Sequence, residues 1–147
     1  MRVVIQRVKQ AEVKVNGNSV GKINKGCLIF LAGDKDDAEK DLTFLVEKIG
    51  GLRIFEDEQG KMNLSAADVQ GEFLVVSQFT LIGNCQKGRR PSFDDAAEPE
   101  KAKRYYKQFV AALKAKGFKV ETGQFAAMME VSLINNGPVT FIIDSRS

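Results

Sequence analysis

Histidine is absent from this chain, and so is tryptophan; cysteine occurs only twice and proline three times in 147 residues. Without histidine, Ser-His-Asp and Cys-His mechanisms are excluded, and the side chain that most often carries protons near neutral pH is missing. Cys27 lies in the apolar run Gly26-Cys27-Leu28-Ile29-Phe30-Leu31 and Cys85 in a Gly/Asn loop. They form no C-x-x-C pair and no zinc signature, so they read as two free thiols, and no metal is assigned. No stretch approaches the roughly 20 apolar residues that a spanning helix requires. The opening Met1-Arg2-Val3-Val4-Ile5-Gln6-Arg7 has neither a continuous apolar run nor a small-residue cleavage site, so a cytoplasmic protein with no membrane partner is expected. Internal repeats, low-complexity segments and long linkers are also lacking, and residues 1–147 read as a single domain.

What is there is ordinary for a globular domain: 44% hydrophobic and 28% charged residues. The net charge of +3 is small, but it is unevenly spread. Lys87, Arg89 and Arg90 crowd one loop, and Lys101, Lys103, Arg104 and Lys107 follow in a helical stretch. The loop cluster is a candidate anion site and the second cluster reads as a solvated helix face.

Residues 2–8 and 11–15 are rich in β-branched side chains, and Asn16-Gly17-Asn18 marks a hairpin into residues 19–23. Residues 26–31 have the continuous apolar character of a strand buried on both faces. Asp34-Lys35-Asp36-Asp37 offers N-cap candidates, and Leu42, Leu45, Val46 and Ile49 recur at helical spacing up to Gly50-Gly51. Residues 52–55 and 61–64 flank a hairpin turn, and residues 71–80 read as a central strand before a loop over residues 83–95. Pro99 suits a first helical turn, after which Ala102, Tyr105, Tyr106, Phe109, Val110 and Leu113 form an apolar face ending at Gly117. The period of Tyr105 and Tyr106 favours core packing over base stacking. Residues 128–134 and 139–144 read as strands joined by Asn135-Asn136-Gly137-Pro138. The expected fold is α/β (mixed α+β): mixed sheets forming a barrel-like or layered core, with two main amphipathic helices packed on it.

Two segments invite chemistry. In Asn136-Gly137-Pro138 the glycine opens backbone angles closed to other residues and the X-Pro bond can be cis, which would aim rigid carbonyls at a ligand. An ordinary connection between strands is the plainer reading. Ser77-Gln78-Phe79-Thr80 closes an apolar strand, where the Phe79 and Thr80 amides could stabilise an oxyanion. The Thr80 hydroxyl has no adjacent histidine or lysine to activate it, and on pattern alone Ser77 and Thr80 are strand residues satisfying nearby backbone.

Ser77-Gln78-Phe79-Thr80-Leu81, Lys87-Gly88-Arg89-Arg90-Pro91-Ser92-Phe93 and Asn136-Gly137-Pro138-Val139-Thr140-Phe141, in this order, resemble the D-aminoacyl-tRNA deacylase family. Met1-Arg2-Val3-Val4-Ile5-Gln6-Arg7-Val8 and Lys61-Met62-Asn63-Leu64-Ser65 extend the resemblance over essentially the whole chain. Asn136 stands where the family commonly has aspartate, and Ala126 where it commonly has glycine.

The resemblance implies a homodimer that hydrolyses the ester joining a D-amino acid, or glycine mischarged on tRNA(Ala), to the terminal adenosine of tRNA, without a cofactor or metal. It implies that Gly137 and Pro138 form a cross-subunit Gly-cisPro element excluding L-amino acids. Ser77, Gln78, Phe79 and Thr80 would form the pocket, with the Phe79 and Thr80 amides as oxyanion donors. Water would attack, assisted by the ribose 2′-hydroxyl. Arg7 would support the Gly-Pro element and Met129 would line the pocket near it. Lys87, Arg89 and Arg90 would contact tRNA phosphates. A non-catalytic tRNA-end binding module, a purely structural dimer and an esterase for small D-acyl esters are the alternatives.

Overall fold

The computed structural model describes residues 1–146. Its strands are β1 (Arg2–Val15), β2 (Asn18–Ile23), β3 (Gly26–Ala32), β4 (Phe55–Glu56), β5 (Met62–Leu64), β6 (Glu72–Ser77), β7 (Val120–Thr122) and β8 (Glu130–Asp144). Two helices, α1 (Glu39–Gly51) and α2 (Pro99–Ala115), complete it with a 3-10 turn at Phe79–Ile82. The main sheet runs β2-β1-β3-β6-β7, with β8 on β1; β3 and β6 pair in parallel, as do β6 and β7, while every pairing of β1 is antiparallel. It is a nearly closed, barrel-like mixed sheet. The closing approach is between β2 and β7, where a Cβ on Gly21 would lie 2.3 Å from the Thr122 carbonyl oxygen, so only glycine fits there.

Apolar side chains fill both faces. On one face Val3, Ile5, Ile29, Phe73 and Val75 meet Leu45 and Ile49 of α1 and Tyr106, Phe109 and Leu113 of α2. On the other Val8, Ala11, Val13, Ile23, Leu28, Leu74 and Val76 fill the barrel interior. Complete burial of a side chain such as Phe109 or Leu28 stabilises by about 2 kcal/mol. Tyr105 and Tyr106 are core residues, as their spacing predicts, and the Tyr106 hydroxyl donates to the Val75 carbonyl at 3.2 Å. Among the described residues no helix is long and apolar enough to cross a membrane.

The structure departs from the sequence reading in several places, among them the strand expected over residues 52–55, which is β4 at Phe55–Glu56. β1 is one strand, because bulges at residues 6–10 carry its alternation from one core to the other without ending it. α1 begins at Glu39, not within the Asp run. Asp37 is withdrawn from capping: its carboxylate is buried, accepting from the Met1 ammonium at 2.5 Å and the Asp34 amide at 2.7 Å, while Asp41 serves the Ala38 amide. The strand through residues 71–80 stops at Ser77, the last residue paired with β3, and the chain turns into the 3-10 segment. β7 was not anticipated. Finally, β8 runs unbroken through Asn135-Asn136-Gly137-Pro138, starting at Glu130.

Candidate functional site

The pairing of β1 with β8 shows how residues 136–139 are placed. Gln6 lies opposite Thr140 and Val8 opposite Asn135, so β8 spends residues 136–139 where β1 has Arg7 alone. The surplus backbone is pushed out of the sheet, leaving Gly137 and Pro138 exposed. Their peptide bond is cis. Behind the protrusion Arg7 is buried at 3% exposure, its Nε donating to the Asn136 carbonyl at 3.1 Å and its Nη1 to the Ile54 carbonyl at 2.8 Å. Its Nη2 lies 3.7 Å from Glu56. A guanidinium suits this position because its fork satisfies several acceptors in one plane, which a lysine cannot do. Asn135 ties the base of the protrusion, donating through Nδ2 to the carbonyls of Arg7 and Val139, each at 3.0 Å. Gly137 has φ +130, and a Cβ there would lie 2.7 Å from Val139 Cγ2 and 3.0 Å from Arg7 Nη2.

A second locus opens at the end of β6. A cleft of about 780 Å³ is lined by Ser77, Gln78 and Phe79, by Phe93 and the start of α2 including Ala102, and by residues 125–129 and Val131. That size is in the range of small-molecule sites. In a 3-10 turn the first donor with an internal partner is the third, and here the Leu81 amide bonds the Gln78 carbonyl. The amides of Phe79 and Thr80 lead the turn and donate to no backbone acceptor outside it among the described residues. The Thr80 hydroxyl accepts from the Gln78 side-chain amide, a donor that orients it but cannot deprotonate it. Phe79 is half exposed and meets Phe93 edge to face, with ring centroids 5.1 Å apart.

The structure therefore gathers Ser77, Gln78, Phe79 and Met129 at one cleft, with Thr80 in the adjoining turn, and Arg7, Gly137 and Pro138 at another place. Met129 lines the cleft, the place expected of a pocket residue, while Gly137-Pro138 of the same protomer lies away from it. Ser77 is level with Leu31, Leu31 with Val3 and Val3 with Ile143, whereas Gly137 protrudes at the level of Arg7, further along β1 and on the far side of it from β6. From Val3 to Arg7, at about 3.3 Å per residue, is roughly 13 Å along the strand, with β3 and β1 lying between the two places. Lys87, Arg89 and Arg90 sit in an exposed loop closed by the Asn84–Ser92 bridge, beside Phe93, with no carboxylate within ion-pair distance among the described residues.

Sequence reasoning missed Phe93, Ala102, Phe125 and Met128 in the cleft wall, and Asn135 and Ile54 around the protrusion. Ala126, also in the wall, holds φ +61, a conformation unusual for a residue with a Cβ. Cys27 is buried behind Arg7, and burial pushes its thiol up to about 12, against the lowering effect of that guanidinium. It is no nucleophile at neutral pH.

Residues 4–144 match the D-Tyr-tRNA(Tyr) deacylase family. The D-aminoacyl-tRNA deacylase of Desulfatibacillum aliphaticivorans is 60% identical over 146 residues, covering 99% of this chain and 100% of that protein. That of Thermosipho africanus is 58% identical over 146 residues, covering 99% and 98%. Among solved structures, c-Myc DNA Unwinding Element Binding Protein superposes with a TM-score of 0.93 at 39% identity, covering 100% of both chains. A probable eukaryotic D-amino acid tRNA deacylase shares the fold, with a TM-score of 0.83 at 20% identity, covering 97% of this chain and 98% of that one.

Proposed function

The chain belongs to the D-Tyr-tRNA(Tyr) deacylase family, and from that premise we propose that it is a D-aminoacyl-tRNA deacylase of the cytoplasm, a hydrolase that frees a D-amino acid from the 3′ end of tRNA. Water attacks the ester carbonyl carbon, its proton passing by way of the ribose 2′-hydroxyl. The oxyanion that forms is met by the Phe79 and Thr80 amides. Collapse expels the ribose 3′-oxygen, which takes up a proton, leaving tRNA and the free amino acid. Such donors are worth several kcal/mol where charge develops in a cleft that excludes water. An aminoacyl ester is activated enough that no histidine base is needed, in keeping with a chain that has none.

The observation that carries this reading is the turn itself: among the described residues, two leading amides without a backbone acceptor, at the edge of a cleft, beside a threonine whose side-chain partner is a donor. Enantiomer selection falls to Gly137 and Pro138. Their distance from the cleft within one protomer favours a homodimer in which the protrusion of one copy enters the cleft of the other, crowding an L side chain and sparing a D one. Glycine has no side chain to exclude, so glycyl-tRNA(Ala) is a substrate as well. Lys87, Arg89 and Arg90 meet tRNA phosphates beside the cleft.

The test uses D-tyrosyl-tRNA ending in adenosine or in 2′-deoxyadenosine, and D-tyrosine ethyl ester. The expected result is rapid hydrolysis of the first, slow hydrolysis of the second and none of the third. Turnover of the small ester would favour a general D-acyl esterase. Bound tRNA with its ester intact would favour a binding module without catalysis.

A further inference from the structure

Arg2 does not face either core, and its guanidinium spans two elements that the backbone does not join. Nη1 donates to the Leu81 carbonyl at 2.8 Å, while Nε donates to Asp144 Oδ2 at 3.0 Å and Nη2 lies 3.0 Å from the same oxygen. Arg2 and Asp144 are directly opposed in the β1–β8 register, so the anchor is built into the sheet. The other oxygen of Asp144 accepts from the Arg146 amide at 3.0 Å. Burial raises the Asp144 carboxyl, but that amide and Arg2 outweigh it and hold the group below the usual carboxylate range, so it is charged at neutral pH.

Leu81 lies in the 3-10 turn whose leading amides are those of Phe79 and Thr80. A 3-10 turn leaves its last carbonyls without internal partners. Gly83 satisfies the Thr80 carbonyl, and Arg2 satisfies that of Leu81. The turn is therefore pinned at its trailing end to the edge of the sheet, and in four residues there is little slack between that pin and the leading amides. The Arg2 side chain is 40% exposed and that of Asp144 22%, so the pair adds little to global stability and its loss is felt mainly as geometry.

We propose that Arg2 is a positioning residue for ester hydrolysis: by joining the Leu81 carbonyl to Asp144 it holds the Phe79–Ile82 turn so that its leading amides face the cleft. This rests on the deacylase reading above. Lysine cannot replace it, because one ammonium at the end of a flexible stem does not reproduce the two-ended fork.

Arg2→Ala, Arg2→Lys and Asp144→Asn in the full chain test this by two readouts, one independent of activity. Hydrogen exchange at the Leu81 and Gly83 amides is expected to accelerate in Arg2→Ala, with amides of β3 and β6 unchanged and the melting temperature nearly so. With D-tyrosyl-tRNA, kcat is expected to fall by about tenfold to a hundredfold, the scale of a displaced catalytic donor, with KM within about twofold. Arg2→Lys is expected to recover only a minor part of the loss, and Asp144→Asn, which keeps the bond to Leu81 but frees its anchor, to fall between. Unchanged exchange and kcat in Arg2→Ala, with the parent protein active, would overturn the proposal and leave the deacylase reading standing. Accelerated exchange in Arg2→Ala, with a parent that hydrolyses no D-ester, would refute the deacylase reading, and with it any role for Arg2 in hydrolysis, while the clamp itself stood.

Discussion

Gly137→Ala should cost more than a methyl group on an exposed residue ordinarily does. The protrusion is exposed, and substitutions at such places usually change stability by less than about 0.5 kcal/mol. Here two penalties combine. The φ of +130 is outside the regions open to alanine, a strain of about 1–3 kcal/mol. The added Cβ would also lie 2.7 Å from Val139 Cγ2 and 3.0 Å from both the Val139 amide nitrogen and Arg7 Nη2. Val139 and Arg7 are buried, so neither gives way freely, and overpacking of this kind costs about 1–3 kcal/mol. Relief of one strain partly relieves the other, so the expected total is about 2–4 kcal/mol. For a domain of this size that lowers the melting temperature by roughly 4–16 °C. Thermal and urea melts of the wild type and Gly137→Ala measure it directly. A variant within about 0.5 kcal/mol of the wild type would refute the reasoning, because it would mean that the protrusion relaxes without strain.

Three further outcomes follow from the same geometry. In the native protein a thiol reagent should modify one cysteine per chain, the exposed Cys85, while Cys27, buried with its thiol raised to about 12, reacts only after denaturation; titration with and without denaturant reads this. Stability should hold from neutral pH to about pH 5 and fall below about pH 4. Burial raises the Asp34 and Asp41 carboxyls, but the Asp36 amide and Arg146 at the first, and the Ala38 amide and Ser145 at the second, bring both below their ordinary value. With the folded-state pKa depressed, the unfolded chain takes up protons first as pH falls, and the stabilisation is lost on passing through the folded values; melts across pH 3–7 check it. Replacing Arg89 and Arg90 by alanine should weaken tRNA binding uniformly across tRNAs and lower the magnitude of the log K versus log salt slope by about 1–2, with little change in melting temperature; an unaltered slope would remove the loop from the interface.

The parts of the fold that were legible in the sequence are those whose signal is local. α2 announces itself by Pro99 at its first turn and by Tyr105, Tyr106, Phe109, Val110 and Leu113 on one face, and β3 by an apolar run that the sheet covers on both sides. What escaped depends on partners distant in sequence. The Asp run looked like a cap because nothing local reveals that Asp37 turns inward to the Met1 ammonium. Phe79 continued the apolar pattern of β6, yet the strand ends where its pairing with β3 ends. Asn-Gly-Pro resembled a break because the bonds that keep β8 continuous come from Asn135 and from Arg7 on another strand. The cleft was half legible. Gln78 and Thr80 carry polar atoms worth noticing, but Phe93, Ala102 and Phe125 are ordinary side chains that only the tertiary fold brings to one wall.

The measurement closest to the central claim compares single-turnover hydrolysis of matched D-tyrosyl-tRNA and L-tyrosyl-tRNA by the purified protein. The account predicts prompt release of D-tyrosine while the L ester decays no faster than in buffer. Equal hydrolysis of the two would contradict selection by the Gly137-Pro138 protrusion, and an intact D ester on bound tRNA would contradict the deacylase reading itself.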